Sequence, residues 1–192
     1  MKAQDVAGVP GVVDVVAGVN NGTFVGAVLG NDATSIIDSG LGPGLSFART
    51  GNQYVVVGTT GLSAVQGTFG CWFRPNSLAA AGFCWANQGG ALDRMYMYVN
   101  AATGEIVVAL AATGVATGIN CVSGQLYHAM LTWNENSVPA NQWVLYLNGV
   151  QAATGNYAGN IVIQPTMAIG WNLTAAAGVE WDGEIFEPRG YN

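Results

Sequence analysis

The sequence predicts an all-β fold, a sandwich of two antiparallel sheets, on three observations. Short Val-, Tyr- or Trp-rich runs recur along all 192 residues, and each is ended by Gly, Asn or Thr, the pattern of strands joined by turns. No window of helical length places apolar residues at helical spacing behind a capping residue. Glycine supplies 28 positions, and these punctuate the runs where a chain must reverse.

Taken in order, residues 1–22 are rich in Val and Gly without clear alternation. They are expected to form an N-terminal arm or an edge segment, and residues 23–192 a single domain. Strands are expected at 23–29, 44–48, 53–58, 67–74, 82–87 and 94–99, then at 105–111, 126–133, 142–147, 150–154, 161–169 and 180–187. A dozen short strands in one chain of this length make two packed sheets. Asn148 and Gly149 fit a two-residue type I′ hairpin turn, because both tolerate positive φ. The tetrapeptide AATG, at 101, 111 and 152, reads as turn chemistry.

Composition narrows the function. Apolar residues make up 51% and charged residues only 8%, against roughly 25% charged in a typical soluble protein. A surface of Gly, Ala, Ser, Thr and Asn suits a protein packed against neighbours in an assembly. The formal net charge is −6 with no basic run, which leaves no electrostatic footprint for nucleic acid. Gly, Asp, Asn or Pro interrupts every apolar stretch short of the ~20 residues of a membrane span. Met1 and Lys2 begin as a signal peptide would, but Asp5, Pro10 and Asp14 break any apolar segment, so no export signal is expected. Cys71, Cys84 and Cys121 make no complete disulfide framework and are expected as small buried hydrophobes. Cys71 and Cys84 are placed to face each other across a hairpin.

Seven segments then follow in a meaningful order: NGTFVGA, GPGLSFARTGNQYVVVG, GTFGCWFRP, GQLYHAMLTW, WVLYLNGVQAATG, MAIGWN and WDGEIFEPRGYN. Over residues 21–192 this order resembles the laminin G-like branch of the concanavalin A-like lectin and glucanase superfamily. The resemblance implies a jelly-roll sandwich and, in most members, a non-catalytic module that binds glycans or proteins, some with calcium at one rim. Fold alone does not assign function, so each site is weighed separately.

Glu180, Asp182 and Glu184 alternate, so on a strand they share one face. Their spacing matches the Glu-x-Asp-x-Glu pattern of the glucanase branch, where the implied roles are nucleophile, helper and acid/base. Retaining chemistry needs two carboxyl groups about 5–5.5 Å apart, within reach of one strand face. In that branch the acid strand lies mid-chain, whereas here eight residues follow Glu184. Gly183, Glu187, Arg189, Tyr191 and Asn192 match the closing motif of the laminin G-like modules instead, with Phe186 in place of an expected Asp. Pro188 confines its position to an edge or a bulge. The same acids offer a calcium reading in which Glu180 and Asp182 are ligands.

His128 has no Ser or Cys partner at a recognisable spacing and is expected to be structural. Trp72, Trp133 and Trp143 lie inside strand patterns and are expected in the core. Trp85, Trp171 and Trp181 sit at strand ends beside Asn87, Asn172 and Asp182. Trp85, Asn87, Trp171, Asn172 and Trp181 are therefore the expected ligand or partner surface. The expected function is a non-catalytic structural or binding module. Its first form is a bacteriophage virion protein, either a capsid decoration or cement protein or a tail or fibre component. Such a protein would contact other virion proteins, form a homo-oligomer and adhere to glycans, with no cofactor except calcium. The alternatives are an extracellular carbohydrate-binding, lectin-like module and a glycosidase using Glu180 and Glu184.

Overall fold

The computed structural model describes residues 2–6, 9–13, 22–25, 44–49, 52–137, 141–157, 159–174 and 178–192. They hold fifteen strands. The first five are β1 (Lys2–Val6), β2 (Val9–Val13), β3 (Gly22–Val25), β4 (Gly44–Phe47) and β5 (Tyr54–Gly58). Next come β6 (Gln66–Pro75), β7 (Gly82–Gln88), β8 (Arg94–Val99), β9 (Glu105–Leu110) and β10 (Thr113–Asn120). The last are β11 (Tyr127–Asn134), β12 (Trp143–Leu147), β13 (Val150–Gly155), β14 (Thr166–Ile169) and β15 (Gly183–Tyr191). A nine-stranded sheet runs β1-β2-β3-β5-β14-β7-β8-β9-β10, and a six-stranded sheet runs β13-β12-β11-β6-β15-β4. Among the described residues there is no α-helix, and the fold is a two-sheet antiparallel jelly-roll sandwich.

Period-2 burial builds the core between the sheets. On β11, Tyr127, Ala129, Leu131 and Trp133 are buried and the residues between them are half-buried, as expected of a strand with one face inward. Trp143 and Leu145 of β12, Phe69, Cys71 and Phe73 of β6, and Met95 and Met97 of β8 point to the same cluster. β7, in the interior of the larger sheet, is buried on both faces. A smaller cluster of Phe83, Ala86, Tyr96 and Ala109 covers its outer side.

Most expected strands are present, and the departures have local causes. The 23–29 run is a strand to Val25, and residues 26–29 lie outside the described residues. The 161–169 run shortens to β14, preceded by an irregular segment pinned to β7 by Asn87. β10 was not expected from its TGVATGIN sequence, because Gly and Thr dominate it and every second residue is exposed. Of the three AATG segments, the first holds a turn with Ala102 and Gly104 at positive φ, whereas the third lies inside β13. Asn148 and Gly149 have φ of 51° and 81°, as a type I′ turn requires. Pro188 sits where the β15–β6 register shifts between Phe186 and Arg189, so the ladder loses no interior hydrogen bond to it.

β10 and β13 end the two sheets on one side and contact each other. Neither carries a charged residue, the usual guard against edge-to-edge pairing. Each instead shifts register against its neighbour, which spoils the flat edge that a second strand needs.

The three cysteines are free and buried in the core. Cys71 lies on β6 and Cys84 on β7, in different sheets, so they face each other across the core and not across a hairpin. Burial pushes the Cys71 and Cys121 thiols up to about 12. Since the thiolate is the nucleophile, native protein at about pH 8 is expected to resist alkylation, and all three thiols to react once denaturant is added. Mass spectrometry of iodoacetamide adducts reads the result.

Candidate functional site

The residues expected to make an exposed patch do not make one. Trp85 and Trp181 are 1% and 2% exposed, and Asn87 and Asn172 are 0% and 3% exposed. Strand-end position in the sequence does not give exposure here, because Trp85 and Trp181 pack into the core cluster between the sheets. Trp85 packs on Phe69 with ring centroids 4.6 Å apart, and Trp181 meets Phe73 edge-on at 5.7 Å. Asn87 Nδ2 donates to the carbonyls of Gln164 and Thr166 at 3.1 and 2.9 Å, and its Oδ1 accepts the Gln164 N–H at 2.9 Å. Asn172 donates to Gln88 Oε1 at 2.6 Å and accepts the Thr174 N–H at 3.1 Å. Both amides satisfy buried backbone or side-chain groups. Trp171 alone of the five stays half-buried, tilted against Tyr54 at 4.5 Å.

The three alternating acids are also separated. β15 begins at Gly183, so Glu180 and Asp182 precede the strand, and the one-face arrangement is not formed. Glu180 is 1% exposed; its Oε2 accepts the Gly178 N–H at 2.7 Å, and its Oε1 is buried without a hydrogen-bond partner. Glu184 lies in β15 opposite Arg74 of β6, at 3.0 Å from its Nε. With one acid buried and the other ion-paired, Glu180 and Glu184 present no carboxylate pair to a sugar bond. Among the described residues, no group of three or more His, Cys, Asp or Glu gathers that could hold a metal ion.

What the fold does bring together lies on the outer face of the six-stranded sheet. Core residues Phe69, Cys71 and Phe73 alternate on β6 with Thr68, Gly70 and Trp72, which therefore point outward. Register extends this into rows across the sheet. Tyr191, Thr68, Thr132, Val144 and Thr154 lie side by side on β15, β6, β11, β12 and β13. The next row holds Arg189, Gly70, Met130, Tyr146 and Gln151. Beyond it Trp72 pairs with His128, their rings 4.7 Å apart and tilted by 41°. Trp72 is thus half-buried on the outer face and not in the core.

His128 bonds through its backbone N–H to Asn148 Oδ1 at 2.8 Å. Partial burial against Trp72 lowers the imidazole pKa below 6.5. Because the folded value lies below the unfolded one, stability from this group is present above about pH 6.5 and falls as pH drops through the folded value. A nuclear magnetic resonance titration of the imidazole Cε1 proton is expected to give a midpoint below 6.5.

Where the first row meets the strand ends, the face opens into a cleft of about 310 Å³. Gln66, Thr68, Thr132, Asn134, Asn141 and Asn192 line it, with Ser137, Gln142 and Val144 at its walls. None of the lining side chains carries a charge. Tyr191, in register with the lining residue Thr68, is 53% exposed, and its side chain hydrogen-bonds with Arg189. Sequence reasoning missed these residues because each is an ordinary polar residue on an ordinary strand. The signal available was the outward parity of positions 68, 128, 132 and 144, which becomes a surface only once register is known.

Such a sandwich belongs to the class of jelly-roll domains on which lectins and glucanases are built. The family model described as the concanavalin A-like lectin/glucanases superfamily, laminin G-like, matches residues 49–192, and the chain belongs to that family. Among solved structures it is similar to domain 4 of AbnA, an extracellular arabinanase from Geobacillus stearothermophilus, solved in complex with arabinotriose. The TM-score is 0.71 and the identity 17%, over 94% of this chain and 86% of that one. A putative carbohydrate-binding protein from Bacteroides ovatus is similar at TM-score 0.57 and 16% identity, over 72% of this chain and 41% of that one. Trypanosoma rangeli sialidase, in complex with sialic acid, is similar at TM-score 0.59 and 13% identity, over 94% of this chain and 30% of that one. These likenesses show the fold. No curated protein sequence matches the chain.

Proposed function

We propose that this chain is a non-catalytic carbohydrate-binding module that holds a neutral glycan in the cleft at the end of β6, β11 and β15. The observation that carries this reading is a cleft lined by hydroxyl and amide side chains, with an exposed aromatic residue in register with its lining. Sugars offer hydroxyls to the first and an apolar ring face to the second. The arabinanase domain solved with arabinotriose makes arabino-oligosaccharides the first probes. The module acts outside the cell or on a particle surface, and the 8% charge supports the second setting, a virion decoration or fibre component packed against neighbours. Calcium at Glu180 and Asp182 belongs to the same proposal as a structural ion, supported by the unpaired buried Glu180 oxygen.

A glycan array with the whole chain tests the reading, followed by titration calorimetry on the best ligand. Tyr191→Ala is expected to weaken binding about tenfold, or ~1.4 kcal/mol, without moving the melting curve, because the residue is 53% exposed. Raising salt from about 0.1 M to about 1 M is expected to leave affinity unchanged, since a neutral glycan brings no charge to be screened. Steep salt dependence, or silence across the array, would overturn the reading.

A further inference from the structure

The uncharged side chains of the cleft also have a hydrogen-bonding polarity. Asn134 Oδ1 accepts the Asn136 N–H at 2.9 Å, and Asn192 Oδ1 accepts the Ser63 N–H at 2.8 Å. A backbone N–H only donates, so these contacts decide which end of each amide is oxygen. The two Nδ2 groups remain, with no partner among the described residues, in side chains that line the cleft. Gln142 differs, since its Oε1 accepts the Tyr157 N–H at 3.3 Å and its Nε2 donates to the Glu135 carbonyl at 3.2 Å. Asn134 ends β11 and Asn192 follows β15, the two strands that flank β6. Their backbones therefore stand two strand spacings apart, roughly 9.5 Å. A ligand entering the cleft meets two positioned donors whose own carbonyls are engaged.

We propose that this cleft selects a neutral N-acetylated sugar, whose acetamido carbonyl accepts from Asn134 or Asn192. The assignment rests on the carbohydrate-binding reading above and names the ligand class for the same cleft. A carbonyl oxygen accepts without a proton of its own to place. A sugar hydroxyl that accepts from these amides must also direct its own proton to an acceptor, a requirement that the acetamido carbonyl does not have. The acetamido methyl group needs an apolar contact, which Val144 and the Thr132 methyl supply at the cleft wall. A carboxylate would also accept, but no cation lines the cleft and the chain carries net charge −6, so an anionic sugar is desolvated there without a counter-charge.

Titration calorimetry on the whole chain compares two trisaccharides of the same β-1,4 linkage, one of N-acetylglucosamine and one of glucose. The N-acetylated trisaccharide is expected to bind about tenfold more tightly or better, the size of effect that positioned hydrogen-bond donors produce. Asn134→Asp and Asn192→Asp keep the oxygen that accepts the backbone N–H and replace the donor by an acceptor. Each is expected to erase most of that preference. Thermal unfolding is recorded in parallel, and the affinity ratio on the unsubstituted chain decides the matter even where a variant fails to fold. Equal affinity, or preference for the glucose trisaccharide, overturns the acetamido assignment and leaves the carbohydrate reading standing. Binding of neither trisaccharide, with binding of another glycan on the array, does the same. Binding of no glycan at all overturns both.

Discussion

Gly183→Ala is expected to lower the melting temperature by roughly 8–16 °C, from a cost of about 4 kcal/mol at 2–4 °C per kcal/mol in a domain of this size. Gly183 opens β15 with φ of 145°, a backbone state that residues with a Cβ rarely adopt. An added Cβ would also lie 2.9 Å from Asn76 N and 3.0 Å from Pro75 Cα, and closer still to the Arg74 carbonyl oxygen. All three are backbone atoms of the β6 end, which cannot swing aside as a flexible side chain does. Gly149→Ala is the control. Gly149 also has positive φ, 81°, but a Cβ there meets nothing within 4 Å. That variant pays conformational strain alone, about 1 kcal/mol. Differential scanning calorimetry separates the two, and equal shifts would show that the β6 backbone contact contributes nothing.

Trp181→Ala is expected to cost about 3–5 kcal/mol, a melting shift of roughly 6–20 °C. The indole is 2% exposed, meets Phe73 edge-on, and closes over Gly82, whose added Cβ would lie 3.1 Å from Trp181 Cε3. Its removal leaves a cavity that the surrounding core fills only in part. Glycan affinity of the surviving folded fraction is expected to be unchanged. Near-wild-type stability with loss of glycan binding would return Trp181 to a ligand surface and sink the core assignment.

The contrast between Trp181 and Tyr191 shows where sequence reading stops. Both are aromatic residues in the closing segment, and Trp181 beside Asp182 has the more promising local context for a sugar platform. The structure buries Trp181 because the segment before Gly183 turns inward, and exposes Tyr191 because the bulge at Glu187 and Pro188 resets the strand. Glu187 carries φ of 44° there. A bulge of one residue exchanges the inward and outward faces beyond it. Neither the inward turn nor the bulge's effect on parity is written in residue type, although Pro188 marks where a bulge fits.

The acids illustrate the same division. Alternation of Glu180, Asp182 and Glu184 implies one face only if a strand spans all three, and the strand starts at Gly183. Trp72 fails for the opposite reason: its strand is real, but the side of the sheet it takes depends on which neighbours supply the core.

By itself the sequence determined the all-β class, the positions of most strands, the type I′ turn at Asn148 and Gly149, and the need for a bulge at Pro188. These follow from period-2 patterning, backbone φ preferences and the missing proline N–H, all local properties of a few adjacent residues. Only the tertiary structure decided which strands neighbour one another, which face of each looks outward, and hence that Tyr191, Thr68, Thr132 and Val144 form one row beside an amide-lined cleft. Those facts depend on register between segments far apart in the chain. The free energy that sets register is burial of the inner face, which carries no instruction about what the outer face will assemble.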